Sequence, residues 1–361
     1  MSTRRDFLKT AGCATAAMLM AEGALASRRE IHVDGKRVKV VDLHAHCFIP
    51  EAAKMTAQGA ALMRSAPRSL IRSLTLGPQR LESMDARGID IQVLSVNQYW
   101  WYAADRDLAA RTVQAQDEGL AAWCNSHPDR FVGLTSVALQ YPDLAAQQLQ
   151  YAVEELGLRG ASIGGHVNGE APTSAKYDPF WRRAEELGVT VFMHPGGAEN
   201  VIRDHALEGR GDLDNVIGNP LETTVFLSRM IFDGVLDRFP RLNISAAHAG
   251  GYLPSYLGRS EVACKYRDDA NCANRKSPSE YLRTQILVDS MIFSAEGLRH
   301  LVAEVGASQI AYGSDIPFDW PDTIDLIVEA PTLSAAQKTA ILGGNLLKLL
   351  RIGPQERAGA R

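Results

Sequence analysis

The chain alternates short apolar, β-branched runs with longer segments of helical periodicity, and this alternation constrains its fold more than any other feature. Such a pattern predicts parallel strands, each followed by a helix that packs on the sheet. Gly157, Gly188 and Gly306 close three of the helical segments, at the position where a left-handed residue commonly ends a helix. The predicted strands comprise residues 38–43, 91–96, 130–139, 160–164, 189–194, 242–247, 286–289 and 310–313.

Eight strands that alternate with helices predict an α/β fold, a single (β/α)8 TIM barrel. An open doubly wound sheet has fewer strands and usually a phosphate-binding glycine motif, and the sequence contains neither G-x-G-x-x-G nor a P-loop. We assign the barrel to residues 27–353. Residues 50–78, between the first two strands, exceed an ordinary connection and are expected to form an inserted helical lid over the barrel mouth. Residues 354–361 are expected to form a disordered tail.

Two histidines end the first predicted strand as His44-Ala45-His46. Because residues i and i+2 of a strand point to the same side, both imidazoles can bind one ion. His194 ends the fifth predicted strand and Asp315 follows the eighth, and active sites of such barrels lie at the carboxyl ends of strands. The sequence therefore predicts one divalent metal ion bound by His44, His46, His194 and Asp315. Zinc suits this His-rich set, with manganese or another divalent ion as the alternative.

The predicted ligand set leaves one coordination position for water, whose pKa the metal lowers towards neutrality. His248 follows the sixth predicted strand and is either a further ligand or a general base beside that water. Five protein ligands would crowd a zinc ion, so we favour the base. His166, just past the fourth strand, is expected to pack in a loop. The remaining histidines are expected at the surface or at helix ends: His32, His127, His205 and His300.

Several longer motifs accompany the strand-end residues. Together they resemble the amidohydrolase superfamily, and more narrowly the branch of aminocarboxymuconate semialdehyde decarboxylase and the resorcylate-type decarboxylases. The resemblance covers nearly all of residues 41–350. The motifs are Asp42-x-His44-x-His46, Arg80-Leu81-x-x-Met84-Asp85-x-x-Gly88-Ile89-Asp90, His194-Pro195, Pro220-x-Glu222-Thr223-Thr224, His248-x-Gly250-Gly251 and Gly313-Ser314-Asp315-x-Pro317-Phe318.

The resemblance implies the same four zinc ligands and His248 as the residue that activates the metal-bound water. It also implies two arginines that bind substrate carboxylates, Arg80 and Arg267, the latter donated across a homodimer. A guanidinium grips a carboxylate through two parallel hydrogen bonds, which favours a small carboxylate substrate. The muconate-specific members place a tryptophan shortly before Pro220, where this chain has Asp214-Asn215-Val216, and this argues against the muconate semialdehyde itself.

The expected activity is that of a zinc-dependent carbon–carbon lyase. It would decarboxylate an aromatic or muconate-like acid without oxidation, through the metal-bound water and the histidine base. The alternative is a hydrolase that uses the same metal-bound hydroxide on a lactone, ester or amide. A barrel that only binds a ligand is a third possibility, disfavoured because the ligands and the base are all present. The net charge of −4, without a basic cluster, argues against a nucleic-acid partner, and no apolar run is long enough to span a bilayer.

Residues 1–26 resemble a twin-arginine signal peptide. Arg4-Arg5 precede Phe-Leu-Lys, a short and weakly apolar stretch follows, and Ala24-Leu25-Ala26 fits a cleavage site. We therefore expect export to the periplasm, and the alternative is a disordered or amphipathic extension. Cys264 and Cys272 could pair in an oxidising compartment, but their spacing is weak support and we expect separate thiols.

Overall fold

The computed structural model describes residues 28–353 except 98, 199 and 204, so the predicted signal peptide and tail lie outside the described residues. Eight parallel barrel strands are present, the third of them in two pieces that flank Leu134 and pair with different neighbouring strands. The strands are β1 (Val41–His46), β2 (Ile91–Ser95), β3 (Phe131–Gly133 and Thr135–Ser136), β4 (Gly160–Ile163), β5 (Thr190–Met193), β6 (Asn243–Ala246), β7 (Ile286–Asp289) and β8 (Ile310–Ala311).

The strands follow one another in chain order around a closed barrel. One sheet runs from β1 through β2 to the first piece of β3, and a second runs from the other piece of β3 to β8. Closure occurs between β1 and the end of β8, where the amide of Leu43 donates to the carbonyl of Tyr312 at 2.9 Å and that of Asp315 to His44 at 2.8 Å. The predicted TIM barrel is confirmed.

The helices lie mainly where the periodicity predicts them. The apolar periodicity of residues 222–239 predicts one continuous helix, whereas the structure divides this segment at Gly234, whose φ of 70° is left-handed. No helix in the described ranges combines the length and apolar character that crossing a bilayer requires. The helices are α1 (Pro50–Ala53), α2 (Ala57–Ser65), α3 (Arg68–Leu74), α4 (Pro78–Arg87), α5 (Arg106–Ser126), α6 (Pro142–Glu154), α7 (Asp178–Leu187), α8 (Asn219–Phe232), α9 (Val235–Arg238), α10 (Leu257–Tyr266), α11 (Pro278–Thr284), α12 (Ala295–Val305), α13 (Ile324–Glu329), α14 (Ala335–Thr339) and α15 (Asn345–Leu349).

The insertion between β1 and β2 is helical, as predicted, and comprises α1 to α3 before α4 leads into β2. Its apolar side chains cluster with Phe48 and Trp101, which follow β1 and β2. The insertion therefore packs on segments at the carboxyl end of the barrel. A separate apolar cluster that includes Leu43, Phe192 and Leu346 of α15 fills the barrel interior.

The first strand begins three residues later than predicted, because residues 32–37 form a short antiparallel hairpin in front of it. Consequently both His44 and His46 lie within β1. The expectation of separate thiols for Cys264 and Cys272 is wrong, since the two form a disulfide with their Cα atoms 5.7 Å apart. A turn after α10 brings them together, which spacing alone does not reveal.

Candidate metal centre

Four buried side chains meet at the carboxyl end of the barrel. One ligand atom from each of His44, His46, His194 and Asp315 lies within 4.8 Å of the others. The histidines come from β1 and from the residue after β5, and Asp315 follows β8. The strand order places β5 across the barrel from β1. The barrel therefore brings together the four residues that the sequence analysis singled out.

The spacing of these atoms suits a metal ion. The Nε2 atoms of His44 and His46 are 3.2 Å apart, and Asp315 Oδ1 lies 3.1 and 2.8 Å from them. Ligand atoms around a tetrahedral zinc lie about 3.3 Å apart, because Zn–N bonds are about 2.0–2.1 Å. The set therefore fits a single divalent ion.

Hydrogen bonds on the far side of the rings orient two of the imidazoles. His44 Nδ1 lies 2.8 Å from Asp289 Oδ2, and His194 Nδ1 lies 2.7 Å from the carbonyl oxygen of Pro195. Each Nδ1–H donates to its oxygen, which directs Nε2 towards the other candidate ligands, where a bound metal ion would take the place of a proton. Partners of this kind are usual for metal-binding histidines, because they fix both the tautomer and the ring orientation.

Asp289, at the end of β7, also fixes the position of His248. Its carboxylate accepts the amide hydrogens of His248 at 2.9 Å and of Ala249 at 2.7 Å. Both residues have a φ of 55°, a left-handed conformation that is uncommon outside glycine and often occurs at functional sites. The His248 ring lies 5.4 Å from the rings of His44 and His194, and its buried Nδ1 has no hydrogen-bond partner among the described residues.

Charges and burial act in opposite directions on the site. Burial lowers the pKa of His44, but Asp315 and Asp289 outweigh it and raise that pKa to about 10. Burial raises the pKa of Asp315, and the imidazoles of His44 and His46 reverse this and hold it well below the usual range. Burial, followed by the charge on His44, lowers the pKa of His248 to about 4. His248 is therefore a neutral imidazole near pH 7, the form that can accept a proton.

Two buried carboxylates support the site and were not assigned roles from the sequence. Asp42 accepts hydrogen bonds from the amide and hydroxyl of Ser314 at 3.0 and 2.6 Å, and it thereby joins β1 to the segment after β8. Glu222 of α8 accepts the amide hydrogens of Gly165, Gly196 and Gly197 at 2.8–3.0 Å. Both residues belong to the motifs that carry the family resemblance, so those motifs could have identified them from the sequence.

The two arginines occupy different environments. Arg80 in α4 is only 2% exposed, and its Nη2 donates to the carbonyl of His46 at 2.6 Å. Its buried Nη1 has no hydrogen-bond partner among the described residues. Arg267, in contrast, lies at the exposed end of α10 and pairs with Asp269 at 2.7 Å. The single chain thus brings Arg80 next to a metal ligand and leaves Arg267 on the surface.

His166 packs in its loop, as expected. Its Nδ1 accepts the amide hydrogen of Gly169 at 2.9 Å, and its Nε2 lies 4.0 Å from Glu222. It is not one of the residues that converge on the metal site.

A protein-family model described as amidohydrolase matches residues 41–352, which include every barrel strand and all four candidate ligands. The chain belongs to this amidohydrolase family. The match begins at the first residue of β1, so the hairpin before the barrel lies outside it.

Two similar proteins are named as decarboxylases. One is 2-amino-3-carboxymuconate-6-semialdehyde decarboxylase of Dictyostelium discoideum, 34% identical over 77% of this chain and 77% of its own length. The other is gamma-resorcylate decarboxylase of Rhizobium radiobacter, 31% identical over 78% of this chain and 89% of its own. They represent the two decarboxylase types that the sequence motifs resemble.

Solved structures agree with this relationship. The 5-carboxyvanillate decarboxylase of Sphingomonas paucimobilis superimposes with a TM-score of 0.80, at 25% identity over 88% of this chain and 100% of the other. A dihydroxybenzoic acid decarboxylase from Polaromonas, with bound manganese and the inhibitor 2-nitroresorcinol, has a TM-score of 0.75 at 25% identity over 87% of this chain and 97% of the other.

Proposed function

We propose that this protein is a divalent-metal-dependent decarboxylase that releases CO₂ from an aromatic or muconate-like carboxylic acid without oxidation. The observation that carries the proposal is the buried set of three imidazoles and one carboxylate with the His248 ring beside it. Similarity to named decarboxylases supports it.

The chemistry needs a charge to be stabilised and a proton to be delivered. When bound, a divalent ion supplies Lewis acidity that polarises a substrate oxygen. The bond between the ring carbon and the carboxylate carbon breaks, CO₂ leaves, and the electron pair stays on the ring carbon, which must then take up one proton. His248 is placed to take a proton from a water molecule and pass it to that carbon, with hydroxide released to solvent, because Asp289 holds its backbone and Nδ1 has no partner among the described residues.

Zinc is the metal that we favour, since three imidazoles and a carboxylate form a typical zinc ligand set. Manganese is the alternative, and it is the ion named for the Polaromonas relative. Elemental analysis of protein purified without added metal distinguishes them. About one equivalent of zinc per chain is expected, and manganese in its place would contradict the assignment.

The substrate carboxylate is proposed to contact Arg80 and, across a homodimer, Arg267. Nη1 of Arg80 is buried without a described partner, and a buried donor of this kind is costly unless a ligand satisfies it. Helix α10 supports the dimer, because Tyr266, next to Arg267, is 71% exposed and Val262, one turn earlier, is 48% exposed. Sedimentation at several protein concentrations tests the dimer, and a monomer throughout would contradict it.

Export to the periplasm through the twin-arginine pathway is proposed for the full chain. The sequence of residues 1–26 supports this, and the disulfide between Cys264 and Cys272 fits an oxidising compartment.

The decisive experiment measures CO₂ release. Metal-loaded protein is incubated with a panel of hydroxylated benzoates and with lactone and ester substrates, and the double variant His44→Ala/His46→Ala serves as the metal-free control. We expect CO₂ from at least one aromatic acid and none from the control. Hydrolysis of a lactone or ester without CO₂ release from any acid would show that the protein is a hydrolase.

A further inference from the structure

A disulfide closes an exposed segment at the end of helix α10 by joining Cys264 to Cys272. Residues 267–271, which follow the helix, are all exposed. Among the described residues, their hydrogen bonds and ion pairs are all local, and the one that reaches furthest along the chain joins the amide of Arg267 to the carbonyl of Ala263 at 3.0 Å. Polar contacts therefore shape the segment without fastening it to the barrel.

The disulfide supplies the missing connection to the body of the protein. Cys264 lies in the last turn of α10, and Cys272 precedes Ala273, whose amide donates to the carbonyl of Phe232 at the end of α8 at 2.8 Å. The last turn of a helix frays readily, because its final carbonyls lack partners within the helix. The disulfide therefore keeps the end of α10 from unwinding and restricts the conformations of the segment that follows it.

The end of α10 presents a face that suits a second copy of the chain, the α10 face, formed by Val262, Tyr266, Arg267 and Asp268. Val262 and Tyr266 are four positions apart, so they lie on the same side of the helix, and both are exposed. Exposed aromatic side chains are enriched at protein interfaces. Arg267 and Asp268 are exposed and carry opposite charges. In a two-fold symmetric contact the same patch meets itself, so the basic residue of one copy can pair with the acidic residue of the other.

We propose that the disulfide holds the α10 face in the shape that a second copy of the chain binds, so that dimerisation, and through it the contact of Arg267 with substrate, depends on oxidation. The inference rests on the proposed function, which assigns Arg267 to the partner's substrate. Forming the bond removes two electrons and two protons from the two thiols, and the disulfide of a thiol oxidoreductase takes them up and becomes a dithiol. The chain then dimerises fully only in an oxidising compartment.

The test measures how strongly the metal-loaded protein dimerises in each redox state. Sedimentation equilibrium gives the dimer dissociation constant of the wild type, of the wild type treated with a phosphine reductant, and of the double variant Cys264→Ser/Cys272→Ser. The double variant treated with the same reductant is the control, because it has no disulfide to lose. Tyr266→Ala, which keeps both cysteines, tests whether the disulfide acts through the α10 face. Metal content and thermal unfolding are measured on every form.

We expect reduction and the double serine variant to weaken the dimer by about 5- to 100-fold, because the side chains of Tyr266 and Arg267 must then be ordered on association. Tyr266→Ala should weaken the dimer and largely remove the effect of reduction. Metal content should stay at the wild-type level in all forms. For an acid that yields CO₂, KM should rise in the double serine variant and kcat should change little, because substrate binding and not proton transfer is affected.

Equal dimer dissociation constants in the oxidised and reduced wild type overturn the inference, and so does a monomer in both states. Loss of metal from the double serine variant overturns it as well, because the disulfide would then stabilise the whole barrel. Redox-dependent dimerisation of a protein that releases no CO₂ supports the role of the disulfide and contradicts the decarboxylase. CO₂ release by a dimer that reduction leaves unchanged contradicts the role of the disulfide alone.

Discussion

At the scale of single residues, Asp289 has the widest influence on the site. Its two oxygens bond the ring of His44 and the backbone of His248 and Ala249, so one carboxylate orients a metal ligand and the candidate base together. Its pKa is lowered, because the hydrogen bond and charge of His44 outweigh the effect of burial. It therefore remains an anion that can hold both partners at neutral pH.

Variants of His248 and His194 should separate catalysis from metal binding. His248→Ala should keep its metal and lose about 10²- to 10⁴-fold in turnover, the usual contribution of a general base. His194→Ala should bind metal more weakly, because an imidazole leaves the ligand set. Metal content and CO₂ release are measured on both variants and on His300→Ala, a control on the outer helix α12. Equal metal loss in the His248 and His194 variants would make His248 a ligand.

At the scale of elements, helix α8 holds two loops at the carboxyl end of the barrel in place, because their backbone amides donate hydrogen bonds to Glu222. The side chain is 2% exposed, and its carboxylate accepts backbone hydrogens from the loop after β4 and from the loop that follows His194. A side chain at Gly165 would meet Glu222 Oε1 at 2.6 Å, so the close approach requires glycine there. The hydrogen bonds from these loops to Glu222 thus require both the small Gly165 and the Glu222 carboxylate.

Glu222→Ala should destabilise the protein by about 2–4 kcal/mol, because three backbone amide hydrogens, two of them buried, lose their acceptor. Glu222→Gln, which keeps one acceptor oxygen, should lie between this variant and the wild type. Both should also release metal faster, since the loop after His194 loses its anchor. Urea unfolding and the rate of metal transfer to a chelator provide the measurements. Glu296→Ala, which removes an exposed ion pair with Arg299, is the control. An equal effect in that variant would contradict the role of Glu222 in holding the two loops.

At the scale of the whole molecule, the barrel and the predicted leader together suggest export of an already folded enzyme. The candidate metal ligands lie in β1 and directly after β5 and β8, so they cannot come together until the barrel closes. A pathway that carries folded proteins would allow the metal to be bound before export. The disulfide closes only a local loop that begins in the last turn of α10, so its formation does not depend on the metal site.

Replacing Arg4 and Arg5 by Lys should keep the protein in the cytoplasm of a host with a twin-arginine pathway, because the paired arginines are the recognition signal. The double variant Arg28→Lys/Arg29→Lys, which changes the next arginine pair along the chain, should be exported normally. Cell fractionation with an antibody against the barrel measures both. Normal export of the Arg4/Arg5 variant would favour an ordinary secretory leader.

Local sequence determined the elements and the ligands. The alternation of apolar runs and helical periodicity is a short-range property, and so is the i, i+2 spacing that points His44 and His46 to one side. These features predict eight strands with candidate ligands at their carboxyl ends. The structure confirms the barrel and brings the four candidate ligands together there. The helix break at Gly234 and the hairpin before β1 were not predicted from the sequence, because short elements depend on weak local signals.

Only the tertiary structure decided which distant groups meet. The contact of Asp289 with His44 spans 245 positions, and that of Ser314 with Asp42 spans 272. No local sequence pattern predicts such pairs, because they form only when the closed barrel places β7 and β8 next to β1. The same holds for the side chain of Arg80 at the carbonyl of His46. Burial makes an unpaired polar group costly in free energy, and burial exists only once the chain has folded.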